Sequence, residues 1–168
     1  MRIAHRILLP GGALVLAALP LLPARLASAA DVRGTISYHG KSAALRFAAM
    51  ITGPDEVDGK KTIRRVVLTG ADLRSTIARC PTMSCVDAAV ADGMEIDFDA
   101  GPRLDYWVAL DGQKTQYSGT AVPESLTAGA NDARRIAGRL SIDDSAAGGP
   151  AIEVEFDAPL VRTFDRSR

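Results

Sequence analysis

The stretch Ala-Ile-Glu-Val-Glu-Phe-Asp-Ala-Pro-Leu at residues 151–160 alternates between apolar and other side chains. Its apolar face carries Ile152, Val154, Phe156, Ala158 and Leu160, and its acidic face carries Glu153, Glu155 and Asp157. A period of two is typical of a β-strand with one buried face and one solvated face. Antiparallel sheets commonly keep one face in water, so the stretch predicts a strand of such a sheet.

The same alternation recurs upstream of this strand. Met94, Ile96 and Phe98 alternate with Glu95, Asp97 and Asp99, and Leu45, Phe47, Ala49 and Ile51 share one face after a turn at His39-Gly40. Seven to eight such strands follow one another without regular intervening helices, which argues against a parallel doubly wound sheet. The pattern predicts an all-β fold, either an antiparallel β-sandwich or a partly closed barrel. Residues 119–131 predict a loop and residues 163–168 a loose tail.

Residues 71–92 interrupt the alternation and predict a short helical insert on the sheet. They contain Cys80 and Cys85, separated by Pro-Thr-Met-Ser. An even cysteine count at this short spacing favours a local disulfide that clips the insert. One alternative is a thiol redox pair, although such pairs usually have two intervening residues. Another is a copper(I) site of Cys80, Met83 and Cys85, because soft sulfur ligands suit that ion.

The N-terminal segment has the three parts of a secretory signal peptide. Arg2 and Arg6 form a basic start, residues 7–22 are an uncharged apolar run, and Ala27-Ser28-Ala29 matches a small-x-small cleavage pattern. The run is shorter than the roughly 20 residues that a membrane-spanning helix needs. We therefore expect residues 1–29 to be cleaved. Residues 30–168 would form a single domain, without a membrane anchor, in the periplasm or outside the cell, where disulfides persist.

Charge and histidine content narrow the classes of function. The chain has 20 Lys+Arg and 20 Asp+Glu, but residues 1–30 hold three of the arginines and no acid, so the other 138 residues carry a net charge of −3. That balance argues against a nucleic-acid-binding surface. The same 138 residues contain one histidine, His39, which argues against multi-histidine metal sites and against a Ser–His–Asp hydrolase. No catalytic residue and no cofactor are predicted.

Candidate interaction residues lie on two acidic strand faces and at one tryptophan. The faces are Glu95, Asp97 and Asp99 on one strand and Glu153, Glu155 and Asp157 on another. If the two acidic strands are neighbours in the sheet, their like charges need a counterion such as calcium, or a basic partner, between them. If the two strands are apart, each acidic face is solvated or screened by arginines such as Arg64 and Arg139. Trp107 faces away from Tyr106 and Val108, so it is either covered by the insert, which we favour, or an exposed binding anchor.

Two framework segments carry a resemblance to other proteins. The first is Gly-Thr-Ile-Ser-Tyr-His-Gly-Lys at residues 34–41 with Leu-Arg-Phe-Ala at residues 45–48, and the second is Ala-Gly-Arg-Leu-Ser at residues 137–141 with Val-Glu-Phe-Asp-Ala-Pro-Leu at residues 154–160. Together they resemble uncharacterised exported β-rich envelope proteins of Gram-negative bacteria. The resemblance implies a bacterial envelope protein, does not include the cysteine insert, and assigns no catalytic or binding residue.

These features predict a non-catalytic exported binding or interaction protein of the bacterial envelope. Its partner would be a protein or a small ligand of the envelope. The alternative is a periplasmic copper(I)- or thiol-active protein that uses the loop from Cys80 to Cys85, and a small hydrolase is the third hypothesis.

Overall fold

The computed structural model describes residues 32–168, so the predicted signal peptide at residues 1–29 lies outside the described residues. The described residues contain ten β-strands and two α-helices. The strands are β1 Arg33–Tyr38, β2 Lys41–Leu45, β3 Phe47–Pro54, β4 Thr62–Thr69, β5 Gly93–Phe98, β6 Leu104–Ala109, β7 Tyr117–Ala121, β8 Leu126–Asn131, β9 Arg135–Asp143 and β10 Ala151–Thr163. The helices are α1 Arg74–Arg79 and α2 Met83–Asp87.

Within residues 32–168, eight strands form a curled half-barrel sheet in the order β2-β1-β10-β3-β4-β5-β6-β7, and β9 with β8 branches from β10. The long strand β10 therefore borders β1, β9 and β3. The pairs are antiparallel except for β10 with β3, which is parallel from Leu160–Met50 to Thr163–Thr52. The predicted all-β fold is confirmed in its partly closed barrel form, with ten described strands instead of seven to eight.

One face of the curled sheet encloses the main hydrophobic core. Alternate residues of the strands meet there, including Met94, Ile96 and Phe98 of β5, Leu104, Tyr106 and Val108 of β6, and Ile152, Val154, Phe156 and Ala158 of β10. Burial of one such large side chain stabilises the fold by about 1.5–3 kcal/mol, so the alternation determines which face turns inward. The predicted apolar faces of β5 and β10 are confirmed.

A second hydrophobic cluster lies on the opposite face of β3 and β4, under the insert. Its members include Ala49, Ile51, Ile63, Val67, Ile77, Met83, Val86 and Phe164. The predicted common face holds for Ala49 and Ile51 of β3 but is wrong for Leu45, which lies in the main core because the strand breaks at Arg46 between β2 and β3. Ala48 and Met50 also join the main core, so β3 is buried on both faces.

Two segments are more ordered than the sequence predicts. The predicted loop at residues 119–131 contains the end of β7 and the whole of β8, whose small and polar residues hide its period. β8 carries an extra residue, Gly129, where it pairs with β9. The C-terminal residues are docked rather than loose, because Phe164 donates its N–H to the Thr52 carbonyl at 2.7 Å and the Ser167 carbonyl accepts from Ser84 N–H at 2.9 Å.

Candidate functional site

A row of charged side chains crosses the outer face of the sheet, where the insert packs. Antiparallel pairing places Arg65 of β4 opposite Asp97 of β5, and Asp97 opposite Asp105 of β6. Arg65 donates from Nε to Asp97 Oδ1 at 2.5 Å and from Nη2 to Asp97 Oδ2 at 2.8 Å. The two side chains are 5% and 6% exposed, so they form a buried ion pair with two parallel hydrogen bonds.

Arg65 also connects this row to helix α2 and to Trp107. Its Nη1 donates to Asp87 Oδ1 of α2 at 2.6 Å, and its guanidinium carbon lies 5.2 Å from the centroid of the Trp107 ring, a cation–π distance. Burial alone would lower the pKa of Arg65, but the hydrogen bond and charge of Asp97 outweigh burial and raise it. Arg65 is therefore a permanent cation that partly neutralises its carboxylate neighbours.

Glu95 lies in the same buried cluster with less compensation. The residue is 6% exposed, and among residues 32–168 its Oε1 has no hydrogen-bond partner. Burial, and then repulsion by Asp87, raises the pKa of Glu95 well above its ordinary value. Glu95 and Asp97 do face away from the main core, as predicted. The expectation that they form an exposed acidic surface is wrong, because the insert and Arg65 bury them.

A cleft of about 330 Å³ opens beside Asp97, between residues 55–58 and β6. Its lining residues are Asp55, Glu56, Val57, Asp58, Lys61, Arg65, Asp97, Ala100, Asp105 and Trp107. Five carboxylates and two basic groups give this lining a formal net charge of −3. Trp107 is half-buried in the wall, so it is neither fully covered by the insert nor a fully exposed anchor.

Asp105 is a carboxylate of this cleft that lacks a partner. It is half-buried and faces Asp97 across the strands, and its side chain makes no hydrogen bond or ion pair within residues 32–168. Arg103, two residues away along the chain, donates instead to Thr120 Oγ1 at 2.9 Å. Like charges directly opposite each other destabilise a sheet, so a cation beside Asp97 and Asp105 would relieve their repulsion.

The structure does not bring the two predicted acidic faces together, because β3 and β4 lie between β10 and β5. The β10 face is partly screened by arginines. Arg139 Nε donates to Glu153 Oε1 at 2.5 Å and Arg135 pairs with Asp157 at 2.6 Å, while Glu155 is exposed. At the end of β5, Asp99 accepts from Arg64 Nε at 2.6 Å and from its Nη2 at 2.9 Å. A counterion shared between the two faces is therefore not required.

Cys80 and Cys85 form the predicted disulfide in the helical region, which is consistent with a location outside the cytoplasm. Met83 between them is 1% exposed and packs so closely on Gly53 that a Cβ there would lie 2.5 Å from its sulfur. The copper(I) hypothesis for Cys80, Met83 and Cys85 is contradicted, because two sulfurs are joined and the third lies in the second core. Residues 32–168 offer no free thiol for the redox alternative.

Other residues with chemical potential do not gather into a site. His39 is exposed in the β1–β2 turn, where φ is 49° at His39 and 76° at Gly40, as a two-residue hairpin loop requires. Within the described part of the chain, no group of three or more His, Cys, Asp or Glu side chains is arranged to hold a metal ion. No helix in residues 32–168 is long and apolar enough to cross a bilayer.

Sequence reasoning missed Arg65, Asp87 and Asp105 as members of the site. The available signal was Arg65, a charged residue followed by Val66 and Val67 in a strongly apolar strand. A charge in such a position is expected to need a partner of opposite sign, since an unpaired buried charge is very costly. The acidic face of β5 supplies that partner.

No family model, no curated protein and no solved structure matches this chain.

Proposed function

We propose that this chain is an exported, non-catalytic binding protein of the bacterial envelope, located in the periplasm or secreted. The signal-peptide pattern of residues 1–29 and the Cys80–Cys85 disulfide support an oxidising compartment. The binding site is the acidic cleft beside Trp107. Its ligand, a small molecule or a protein of the envelope, presents a positively charged group.

The unpartnered carboxylate of Asp105 carries this proposal. It lies in a cleft whose lining has a net charge of −3, and Asp97 opposite it is already paired with Arg65. Ligand sites typically combine an apolar or aromatic wall with a few convergent polar groups. Trp107 and Ala100 supply the apolar wall, and Asp105 supplies the group that fixes the ligand's cation.

Fluorescence titration of Trp107 tests the proposal, because the chain has one tryptophan and it lines the cleft. N-butylguanidinium should change the emission with saturation, and its neutral isostere N-butylurea should not. Asp105→Asn should weaken binding of N-butylguanidinium by about fivefold, which corresponds to the ~1 kcal/mol of a partly exposed ion pair.

Glu155→Gln is the matched control, since it removes an exposed carboxylate of β10 that does not line the cleft. This variant should bind N-butylguanidinium as the wild type does. Added salt should weaken binding to the wild type, because salt screens partly exposed charges. Equal binding of the urea and the guanidinium, or equal affinities of Asp105→Asn and the wild type, would rule out the cleft as a cation site.

A further inference from the structure

Val57 lies at the mouth of the cleft and is 96% exposed. Among the described residues, Val122 at 45% is the other large hydrophobic side chain that is exposed. Val57 is held outward by a hydrogen-bonded loop. Its N–H donates to Asp55 Oδ1 at 2.7 Å, and Asp55 N–H donates to the Lys61 carbonyl at 3.0 Å. The mouth of the cleft therefore presents an exposed apolar side chain next to acidic groups.

The lining of the cleft already binds guanidinium groups of the chain itself. Arg65 forms two parallel hydrogen bonds with Asp97 and lies over Trp107, and Arg168 Nη2 donates to Glu56 Oε2 at 3.1 Å. A guanidinium is planar, donates in a fork and stacks on aromatic rings, whereas an ammonium is a compact and strongly hydrated charge. Arginine is therefore the basic side chain that best fits a carboxylate beside an indole.

Both basic side chains that line the cleft already have partners other than Asp105. Lys61 Nζ donates to the Ala100 carbonyl at 3.2 Å. Arg65 donates hydrogen bonds to both Asp97 and Asp87 and donates none to Asp105. This shortage of positive charge gives the cleft its complementarity to a basic partner.

We infer that the partner is an arginine-containing segment of another polypeptide. Its guanidinium binds beside Asp105, and an apolar side chain next to that arginine covers Val57. The inference rests on the proposed function and adds the class of partner. A small amine would satisfy Asp105 but would leave Val57 in water, whereas a peptide can contact the acidic wall and the apolar mouth together.

Three capped dipeptides titrated against Trp107 fluorescence test this inference. Acetyl-Leu-Arg-amide should bind about five- to tenfold more tightly than acetyl-Ser-Arg-amide, because the leucine and Val57 bury apolar surface against each other. Acetyl-Leu-citrulline-amide, which lacks the charge, should bind at least about fivefold more weakly than acetyl-Leu-Arg-amide. Val57→Ser should abolish the preference for leucine, and Val122→Ser, the matched control, should keep it.

The outcomes separate this inference from the proposed function. If both arginine peptides bind equally well and Asp105→Asn weakens both, the polypeptide inference is wrong and cation binding stands. If Asp105→Asn changes no affinity, the proposed function fails as well. A dimer in sedimentation equilibrium that Asp105→Asn dissociates would identify a second copy of this chain as the occupant and would overturn the inference of a different polypeptide.

Discussion

Glu95 is a buried carboxyl group whose Oε1 has no hydrogen-bond partner among residues 32–168. It shares the outer face of β5 with Asp97, but Arg65 forms its ion pairs with Asp97 and Asp87 and not with Glu95. Removal of Arg65 would leave buried carboxylates without compensation, a change that typically costs about 3–5 kcal/mol. Burial, and then repulsion by Asp87, raises the pKa of Glu95, so the folded protein favours its neutral form more than water does.

We expect Glu95→Gln to stabilise the protein increasingly as the pH rises. The pKa of Glu95 is raised in the folded state, whereas it is about 4.3 in an unfolded chain, so the folded state binds the proton more tightly. The stability that the Glu95 carboxyl group contributes is therefore fully present below about pH 4.3. It is lost as the pH rises through the pKa of Glu95 in the folded state. Urea unfolding between about pH 4 and about pH 8 should show a gain of about 1–3 kcal/mol for the variant at the upper end.

Glu155→Gln controls for the loss of one carboxylate, because Glu155 is exposed. Its free energy of unfolding should stay close to that of the wild type at each pH. A constant difference between Glu95→Gln and the wild type across the pH range would show that folding does not raise the pKa of Glu95.

At the scale of elements, α2 is a five-residue helix that external contacts hold in place. Isolated helices of this length are unstable in water, so its order comes from the rest of the molecule. The disulfide joins Cys85 of α2 to Cys80 at the end of α1, and Asp87 of α2 binds Arg65. The backbone carbonyls of Arg166 and Ser167 accept hydrogen bonds from the N–H groups of Met83 and Ser84. Arg162 adds hydrogen bonds to the carbonyls of Ile77 and Ala78 at the end of α1.

Replacement of both cysteines, Cys80→Ala with Cys85→Ala, should loosen the insert without unfolding the sheet. The disulfide closes a loop between residues only five positions apart, so its loss should lower the free energy of unfolding by about 2 kcal/mol. Hydrogen exchange should accelerate at the amides of α2, while β4 and β5 stay protected. Equal acceleration in the central strands would show that the disulfide supports the whole sheet.

Strands and their inward faces could be predicted from the sequence because alternation is local, as in residues 94–98 and 152–158. The cover over the acidic face of β5 could not be predicted, since it depends on where an insert of irregular pattern packs. Arg65 and Asp97 are 32 residues apart in sequence and become neighbours only through the order of β4 and β5. The cleft was therefore invisible in the sequence, although Trp107 and Asp97 were both among the candidate residues.

At the scale of the whole molecule, the half-barrel is incomplete, and side chains link its two ends. Tyr38 from β1 lies 5.5 Å from Tyr117 of β7 between ring centroids, and Tyr117 lies 5.8 Å from Tyr106. Lys41 Nζ of β2 also forms an ion pair with Oδ2 of Asp111, which follows β6, at 3.0 Å. Aromatic packing of this kind adds about 0.5–1.5 kcal/mol per pair beyond burial, so it partly replaces the backbone pairing that a closed barrel would have.

Tyr106→Phe should remove a hydrogen bond between β6 and the turn that follows β9. The Tyr106 hydroxyl donates to Asp144 Oδ2 at 2.5 Å, and burial together with this hydrogen bond raises the pKa of Tyr106. Loss of a hydrogen bond to a charged group should cost about 1.5–3 kcal/mol in urea unfolding at neutral pH. Tyr38→Phe, the control, removes a hydroxyl that makes no hydrogen bond in the described residues and should cost far less. Equal losses in the two variants would show that the hydrogen bond from Tyr106 to Asp144 makes no specific contribution to stability.

The central position of β10 has a consequence for how the chain is handled before it folds. β10 pairs with β1 and with β3 through residues that are more than 100 positions apart in the chain, and it joins both parts of the sheet. Contacts this distant form slowly, because the intervening chain must first close on itself. Until β10 is available, the polypeptide lacks the strand that joins β1, β9 and β3, so the sheet cannot be completed. If the chain is exported as proposed, completion of the sheet after β10 has crossed the membrane would oppose movement of the chain back through the channel.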